Sequence, residues 1–101
     1  NEDALDYALK LLKSVLDQDR NRVDVLFSLG CLFEKTNNPD EALKYLIEAE
    51  QRDDKSIPIK LHIAKNYIAR GKVLFAEKPL QTVLKLDPEN TEARDLLRQC
   101  L

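Results

Sequence analysis

The sequence predicts an all-α protein in which antiparallel helix pairs repeat along the chain and stack as a right-handed solenoid. Three observations support this fold class. Apolar residues recur at helical spacing, a 34-residue pattern repeats without a gap, and turn-forming residues separate the predicted helices. The composition agrees, because the 101 residues include only two glycines and are 44% hydrophobic.

The 34-residue period appears when residues 8–21, 42–55 and 76–89 are aligned. Three columns then hold apolar residues of matching size: Ala8, Ala42 and Ala76; Leu12, Leu46 and Leu80; Val15, Ala49 and Val83. Residues 26–33, 60–67 and 94–101 align at the same period, which places Leu29, Ile63 and Leu97 in one column and Phe33, Tyr67 and Leu101 in another. Each repeat therefore contains two different helices.

Six helices are predicted, over residues 3–18, 23–36, 40–52, 57–70, 73–86 and 91–100. The first helix is apolar over more of its circumference than one packed side requires. The second places Leu26, Leu29 and Phe33 on one face, and the third begins after the turn at residues 37–39. The fourth ends at Gly71, and the fifth stays in phase across Pro79, which we expect to kink it.

The repeat resembles the tetratricopeptide repeat family. The central unit supplies the family's motif residues Leu26, Leu29, Gly30, Phe33, Ala42, Leu46 and Ala49, with Asp54 in place of the closing proline. The next unit supplies Ile63, Ala64, Tyr67, Ala76, Leu80, Val83 and Pro88, with Lys60 at a large apolar position. The resemblance implies one domain over 1–101: the second helix of a partial repeat (1–22), two repeats (23–56 and 57–90) and a C-terminal capping helix (91–101). The polar residues Glu92, Arg94, Asp95, Arg98 and Gln99 suit a capping helix.

The charge balance excludes some classes of partner. Sixteen basic and eighteen acidic residues give a net charge of -2, so we expect no nucleic-acid binding. A related helical repeat that reads RNA is also disfavoured, because its period is typically longer and its groove is basic. No apolar run is long enough to cross a bilayer, so we expect no membrane insertion and, by default, a cytoplasmic location.

The chemistry of an enzyme is not apparent in the sequence. The single histidine, His62, has no second ligand at metal-binding spacing, and the two glycines do not form a phosphate loop. Asp17, Asp19 and Asn21 resemble the start of a calcium loop that Arg22 interrupts. Cys31 and Cys100 lie two units apart and are expected to be free thiols. We therefore predict a non-enzymatic protein with no metal and no cofactor.

The first helices of stacked pairs line a concave groove in proteins of this family. If Leu26, Leu29 and Phe33 point to the core, a different set of residues faces the groove: Asp24, Phe27, Cys31, Glu34, Leu61, Lys65, Ile68, Glu92, Asp95 and Gln99. The apolar members suggest a binding surface, although packing at the helix edges would also explain them. Lys65 alone does not form the carboxylate clamp of the family members that bind chaperone tails. We expect a protein or peptide partner with mixed apolar and charged side chains, in an adaptor or scaffold role.

Two explanations remain open for the apolar first helix, which carries Tyr7 and Leu11. The chain, which opens at Asn1 without a methionine, is a piece of a longer repeat array, or a second copy covers the helix. The charges also differ along the chain: residues 1–50 hold eleven acids and six bases, and residues 51–101 hold seven acids and ten bases. This asymmetry either assists end-to-end stacking or is only a solvated surface. The alternative function is therefore a scaffold that self-assembles through its groove or its first helix.

Overall fold

The structure is a computed structural model that describes residues 2–101, with side chains described from Asp3 onward. This part of the chain forms six α-helices and no strands: α1 (Glu2–Gln18), α2 (Val23–Lys35), α3 (Pro39–Arg52), α4 (Ile57–Ala69), α5 (Val73–Leu86) and α6 (Thr91–Cys100). Every predicted helix is confirmed, with its ends within one residue of the predicted ones. None of the helices within residues 2–101 is long and apolar enough to cross a membrane.

The helix boundaries themselves repeat every 34 residues. The helices α1, α3 and α5 end at Gln18, Arg52 and Leu86, and α2, α4 and α6 begin at Val23, Ile57 and Thr91. The same interval separates the ends of α2 and α4 and the starts of α3 and α5. The sequence period is thus a structural period without insertions.

The turns after α2 and α4 use the same backbone geometry. Asn37 and Gly71, which are 34 residues apart, have positive φ angles of 62° and 75°. In both turns the N–H of the next residue donates to the carbonyl oxygen five positions earlier. These hydrogen bonds run from Asn38 N to Phe33 O and from Lys72 N to Tyr67 O, each at 2.8 Å. This is the Schellman ending, which satisfies the carbonyls that a helix C-terminus leaves unpaired.

Two of the three first helices are capped by their own side chains. Ser56 Oγ accepts the N–H of Ile59, and Asn90 Oδ1 accepts the N–H of Ala93 at 2.8 Å. At the equivalent position before α2, Arg22 makes no side-chain cap. A polar oxygen at this position satisfies one of the free N–H groups of the first turn. The linkers into α4 and α6 are therefore held by local chemistry as well as by packing.

The chain divides into two compact units, Asn1–Asp53 and Asp54–Leu101. In the first unit, α2 and α3 approach closely at Gly30, because a Cβ atom there would lie 2.7 Å from Leu46 Cδ2 and 2.8 Å from Leu46 Cγ. Leu46, Ala42 and Ala49 are fully buried. The small residues on both helices are what allow the backbones to approach.

A cluster of polar contacts ties the turn between α1 and α2 to the end of α3. The Arg20 guanidinium donates to both Glu48 carboxylate oxygens, from Nε at 2.8 Å and from Nη2 at 2.9 Å. Arg52 Nε donates to Asn21 Oδ1 at 3.2 Å, and Arg52 Nη1 donates to the Glu48 carbonyl oxygen at 3.3 Å. A two-point guanidinium–carboxylate contact fixes direction as well as distance. This contact therefore holds the turn between α1 and α2 against the end of α3.

The second unit is built around one apolar cluster: Leu61, Ala64, Ala76, Leu80, Val83 and Ala93. Tyr67, Leu96 and Leu97 pack against this cluster from its edge. The helix α5 continues through Pro79 from Val73 to Leu86. Leu101 follows α6 and is exposed, whereas Phe33 is buried and Tyr67 is half-buried at the equivalent positions.

Replacing Gly30 with Ala tests the close approach of α2 and α3. Ala favours a helix over Gly by about 0.8–1.0 kcal/mol, but overpacking a filled core costs about 1–3 kcal/mol. We expect Gly30→Ala to lower the free energy of unfolding by about 1 kcal/mol in urea denaturation, because overpacking exceeds the gain in helix propensity. A Leu46→Val background, which makes room for the new methyl group, should reduce the loss.

Gly71→Ala is the matched control, because no atom lies within 4 Å of a Cβ atom at Gly71 and only its positive φ angle is unfavourable. Leu46→Val should leave the effect of Gly71→Ala unchanged. A gain of stability in Gly30→Ala would contradict the steric argument.

The Arg20–Glu48 ion pair makes a pH-dependent contribution to stability. The hydrogen bonds from Arg20 are the largest effect and lower the pKa of Glu48 below its ordinary value of 4.5. Burial, the next largest effect, opposes them, and the charges of Arg20 and Arg52 add to the lowering. A carboxyl with a lowered native pKa stabilises the fold above its unfolded pKa, and this contribution is lost as the pH falls through the native pKa. Glu48→Gln should therefore be less stable than wild type at neutral pH.

The difference between the two proteins should shrink as the pH falls below about 4.5. Free energies of unfolding from denaturant titrations at several pH values measure it. Glu89→Gln, which removes an exposed carboxylate that lies outside the helices and outside this ion pair, is the control. A difference that is independent of pH would show that Glu48 acts through packing alone.

Candidate functional site

The predicted partner-facing residues of the first unit lie along one side of α2. Asp24 is exposed near the start of the helix, and Phe27, Cys31 and Glu34 are half-buried further along it. Their spacing of three, four and three residues places them on a single stripe. The stripe therefore combines two partly accessible side chains of low polarity with a carboxylate at each end.

The charge at the start of this stripe is fixed by Arg22. Arg22 donates to both oxygens of Asp24, from Nε at 3.0 Å and from Nη2 at 2.8 Å. These hydrogen bonds lower the pKa of Asp24 and raise the pKa of Arg22. Asp24 also lies in the first turn of α2, where the helix dipole favours an anion. Both groups are thus charged at neutral pH and form an exposed pair at the edge of the stripe.

Cys31 behaves as a small apolar residue rather than as a nucleophile. Burial raises the pKa of its thiol, and the charge of Glu34 raises it further. Reactive cysteines have the opposite environment, because a nearby cation or helix N-terminus lowers the pKa of their thiols. Cys100 is also a free thiol with a raised pKa, caused first by burial and then by Glu77. Neither cysteine is activated for covalent chemistry.

In the second unit the structure separates the predicted residues into buried and accessible ones. Leu61 is only 8% exposed and belongs to the core cluster, so its burial disagrees with the prediction that it faces a partner. Ile68 packs at the edge of the same cluster and remains half-buried. Lys65 is exposed on α4, and Asp95 and Gln99 are exposed on α6. The accessible set therefore mixes one apolar residue with charged and polar ones.

Lys65 and Glu92 connect α4 to α6. The Lys65 ammonium forms an ion pair with the Glu92 carboxylate, and both side chains remain partly exposed. An exposed ion pair contributes at most about 1 kcal/mol to stability. Either group can therefore exchange its partner for a charged group on a ligand at little cost. Along α6, Arg98 Nη1 lies 3.7 Å from Asp95 Oδ1, and all five polar residues predicted for a capping helix are exposed.

Sequence reasoning missed several features. Lys60 and Asn66 are buried on α4. The signal for Lys60 was its place at a large apolar position of the repeat, whereas Asn66 was not singled out. Leu74 and Phe75 are exposed at the start of α5. The signal for this pair was present in the sequence, since Asp40 and Glu41 stand 34 residues earlier. Tyr7 and Leu11, which the sequence did single out, are exposed on α1.

Three solved structures of two chaperones have similar folds. The type III secretion chaperone SycD of Yersinia enterocolitica, in complex with a peptide of the translocator YopD, matches with a TM-score of 0.85 and 17% identity over 98% of this chain and 81% of that one. Another structure of SycD from the same organism, a translocator chaperone, matches with a TM-score of 0.78 and 18% identity over 98% and 68%. PcrH, in complex with the chaperone-binding region of PopD, matches with a TM-score of 0.76 and 16% identity over 98% and 74%. At these identities the likeness concerns the fold.

No curated protein gave a significant match. A family model described as tetratricopeptide repeat matches residues 33–100, which include α3 to α6 and more than half of the chain. The helix boundaries repeat at the family's interval of 34 residues. The fold, an all-α helical-repeat solenoid, therefore agrees with the sequence match, and the chain belongs to the tetratricopeptide repeat family.

Proposed function

We propose that this protein is a non-enzymatic adaptor that binds a segment of a partner protein on the faces of its first helices, α2, α4 and α6. The observation that carries the proposal is the partial exposure of Phe27 and Ile68. Both are large apolar residues at predicted groove positions, and both keep part of their surface accessible, Ile68 at the edge of the core cluster of the second unit. Such a surface gains free energy when a partner covers it.

The solved structures support a segment as the ligand. SycD and PcrH, whose folds resemble this chain, are each described in complex with a piece of a partner protein. A helical repeat presents a row of helix faces, which suits an extended or helical segment better than a small molecule. The proposal does not extend to their partners, because the identity is only 16–17%.

The accessible side chains define the chemistry of the segment. Phe27 and Ile68 suit apolar anchors, and the carboxylates of Asp24, Asp95 and Glu34 suit basic residues beside those anchors. Lys65 and Glu92 offer one charge of each sign. A segment with alternating apolar and basic residues therefore fits this surface better than an acidic tail. Leu61 is left out of the site because it is buried.

A scaffold that assembles with copies of itself is the second candidate function. Tyr7 and Leu11 favour it, because they are 62% and 56% exposed on α1. Exposed large apolar side chains close together mark surfaces that bind other proteins. The two functions use different helices, so one does not exclude the other.

Peptide selection followed by mutation tests the adaptor function. Peptides selected from a random display library on the wild-type protein should be enriched in apolar and basic residues. We expect Phe27→Ala and Ile68→Ala each to weaken binding of a selected peptide about tenfold or more, which corresponds to about 1.4 kcal/mol. Fluorescence anisotropy with the labelled peptide measures the Kd.

Lys44→Ala, on the exposed side of α3, is the matched control and should bind as wild type does. Thermal unfolding followed by circular dichroism identifies any variant that has lost its fold. Selected peptides that bind the Phe27 and Ile68 variants as tightly as wild type would refute this assignment of the site.

A further inference from the structure

The start of α5 presents two large apolar side chains to solvent. Leu74 is 77% exposed and Phe75 is 62% exposed. The ring of Phe75 lies 5.5 Å from that of Tyr67, measured between centroids, with the planes tilted by 33°. This contact orients the Phe75 ring without covering it. Phe75 is therefore anchored on one side and accessible on the other.

The fold does not require apolar residues at these two positions. The equivalent residues 34 positions earlier, at the start of α3, are Asp40 and Glu41. Acidic residues are the favourable choice in the first turn of a helix, because they interact with the positive end of the helix dipole. The second repeat lacks this stabilisation and exposes Leu74 and Phe75 instead. An unfavourable choice for the isolated chain indicates a surface that is covered by another molecule.

Two exposed lysines flank this pair, and Glu77, which is half-buried, lies between them on α5. Lys72 precedes α5, and Lys78 follows one turn after Leu74 on the same side of the helix; both lysines are exposed. Leu74, Phe75, Lys72 and Lys78 together form what we call the α5 patch. A ligand for the α5 patch must therefore supply apolar groups and negative charge.

The first unit of the same chain carries a surface with those properties. On α1, a shallow hollow is lined by residues spaced at helical intervals: Asp3, Asp6, Tyr7, Lys10, Leu11 and Ser14. We call these six residues the α1 face. Tyr7 and Leu11 are its exposed apolar members, and its two carboxylates outnumber its single lysine. The α1 face and the α5 patch thus pair apolar with apolar and acidic with basic.

We infer that the α1 face of one copy of this protein docks on the α5 patch of a second copy. The charges favour this contact over the symmetrical alternatives. Two α5 patches would oppose four lysines, and two α1 faces packed with their helices parallel would bring Asp3 and Asp6 of both copies together; juxtaposed like charges are unfavourable. The difference in charge between the acidic first half and the basic second half of the chain also favours contact between the unlike surfaces. A contact of this type leaves one surface free on each copy, so further copies can add.

Light scattering across a wide concentration range is the first test. The wild-type protein should form dimers and larger species as its concentration rises, and added salt should weaken the association. The double variant Leu74→Asp/Phe75→Glu places the residues of the equivalent turn of α3 in the α5 patch, so the fold accommodates them. We expect this variant to weaken association at least tenfold. Tyr7→Ser/Leu11→Ser should do the same through the α1 face.

Mixing the two double variants distinguishes this contact from a symmetrical one. Each variant alone lacks one of the two surfaces and should be monomeric. Together they retain one intact α1 face and one intact α5 patch, so a one-to-one heterodimer should form and grow no further. Sedimentation velocity of the separate and mixed variants measures this outcome, and circular dichroism confirms that both are folded.

Several results would overturn the inference. They are a wild-type protein that stays monomeric at all concentrations, a dimer of the Leu74→Asp/Phe75→Glu variant, and a mixture in which folded variants do not associate. If the wild type is monomeric but binds vesicles of anionic lipid through Leu74 and Phe75, the patch serves a membrane surface instead. The peptide-binding test with Phe27 and Ile68 is independent, because neither double variant alters those residues.

Discussion

The close approach of paired helices is the constraint on which the rest of the structure depends. At Gly30 the space that a side chain would need is already filled by Leu46. The second repeat reaches the same arrangement with Ala64 and Leu80, which share one buried cluster. Small residues opposite a leucine fix the distance between the helices of a pair, and a single missing or added residue would shift every column out of register. This is why the helix boundaries next to the turns keep the same interval.

The packing columns leave the outer positions free to differ, and those positions hold the surfaces that another molecule would recognise. Position 27 is Phe, whereas the equivalent positions 61 and 95 are Leu and Asp. Positions 40 and 41 are acidic, whereas 74 and 75 are apolar. The buried columns of α3 and α5 hardly change, with Ala42, Leu46 and Ala49 matched by Ala76, Leu80 and Val83. A repeat protein can therefore place different chemistry on successive units without altering its core, which is consistent with a binding protein more than with a catalyst.

The sequence predicted helices and turns well because both depend on local chemistry. Residues at helical spacing, Pro39 in the first turn of α3, and Asn37 and Gly71 in left-handed turns act within one or two helical turns of their own position. The accessible surface was harder to predict, because exposure depends on which neighbours arrive from elsewhere. Leu61 resembled a surface residue by its phase on α4, yet α5 and α6 supply the cluster that buries it. The Arg20–Glu48 contact spans 28 residues and has no equivalent in the other repeat, so no internal comparison could suggest it.

The same dependence explains why Leu74 and Phe75 escaped notice while Tyr7 and Leu11 did not. An apolar excess around α1 is visible in its own sequence, whereas an apolar pair at the start of α5 looks like ordinary core. Only its exposure, together with the acidic pair at the equivalent turn of α3, distinguishes it. Internal repeats thus provide a reference state within a single chain. Where two units share a fold but differ at an exposed position, the fold does not require the difference, and such positions are the first to examine for recognition of another molecule.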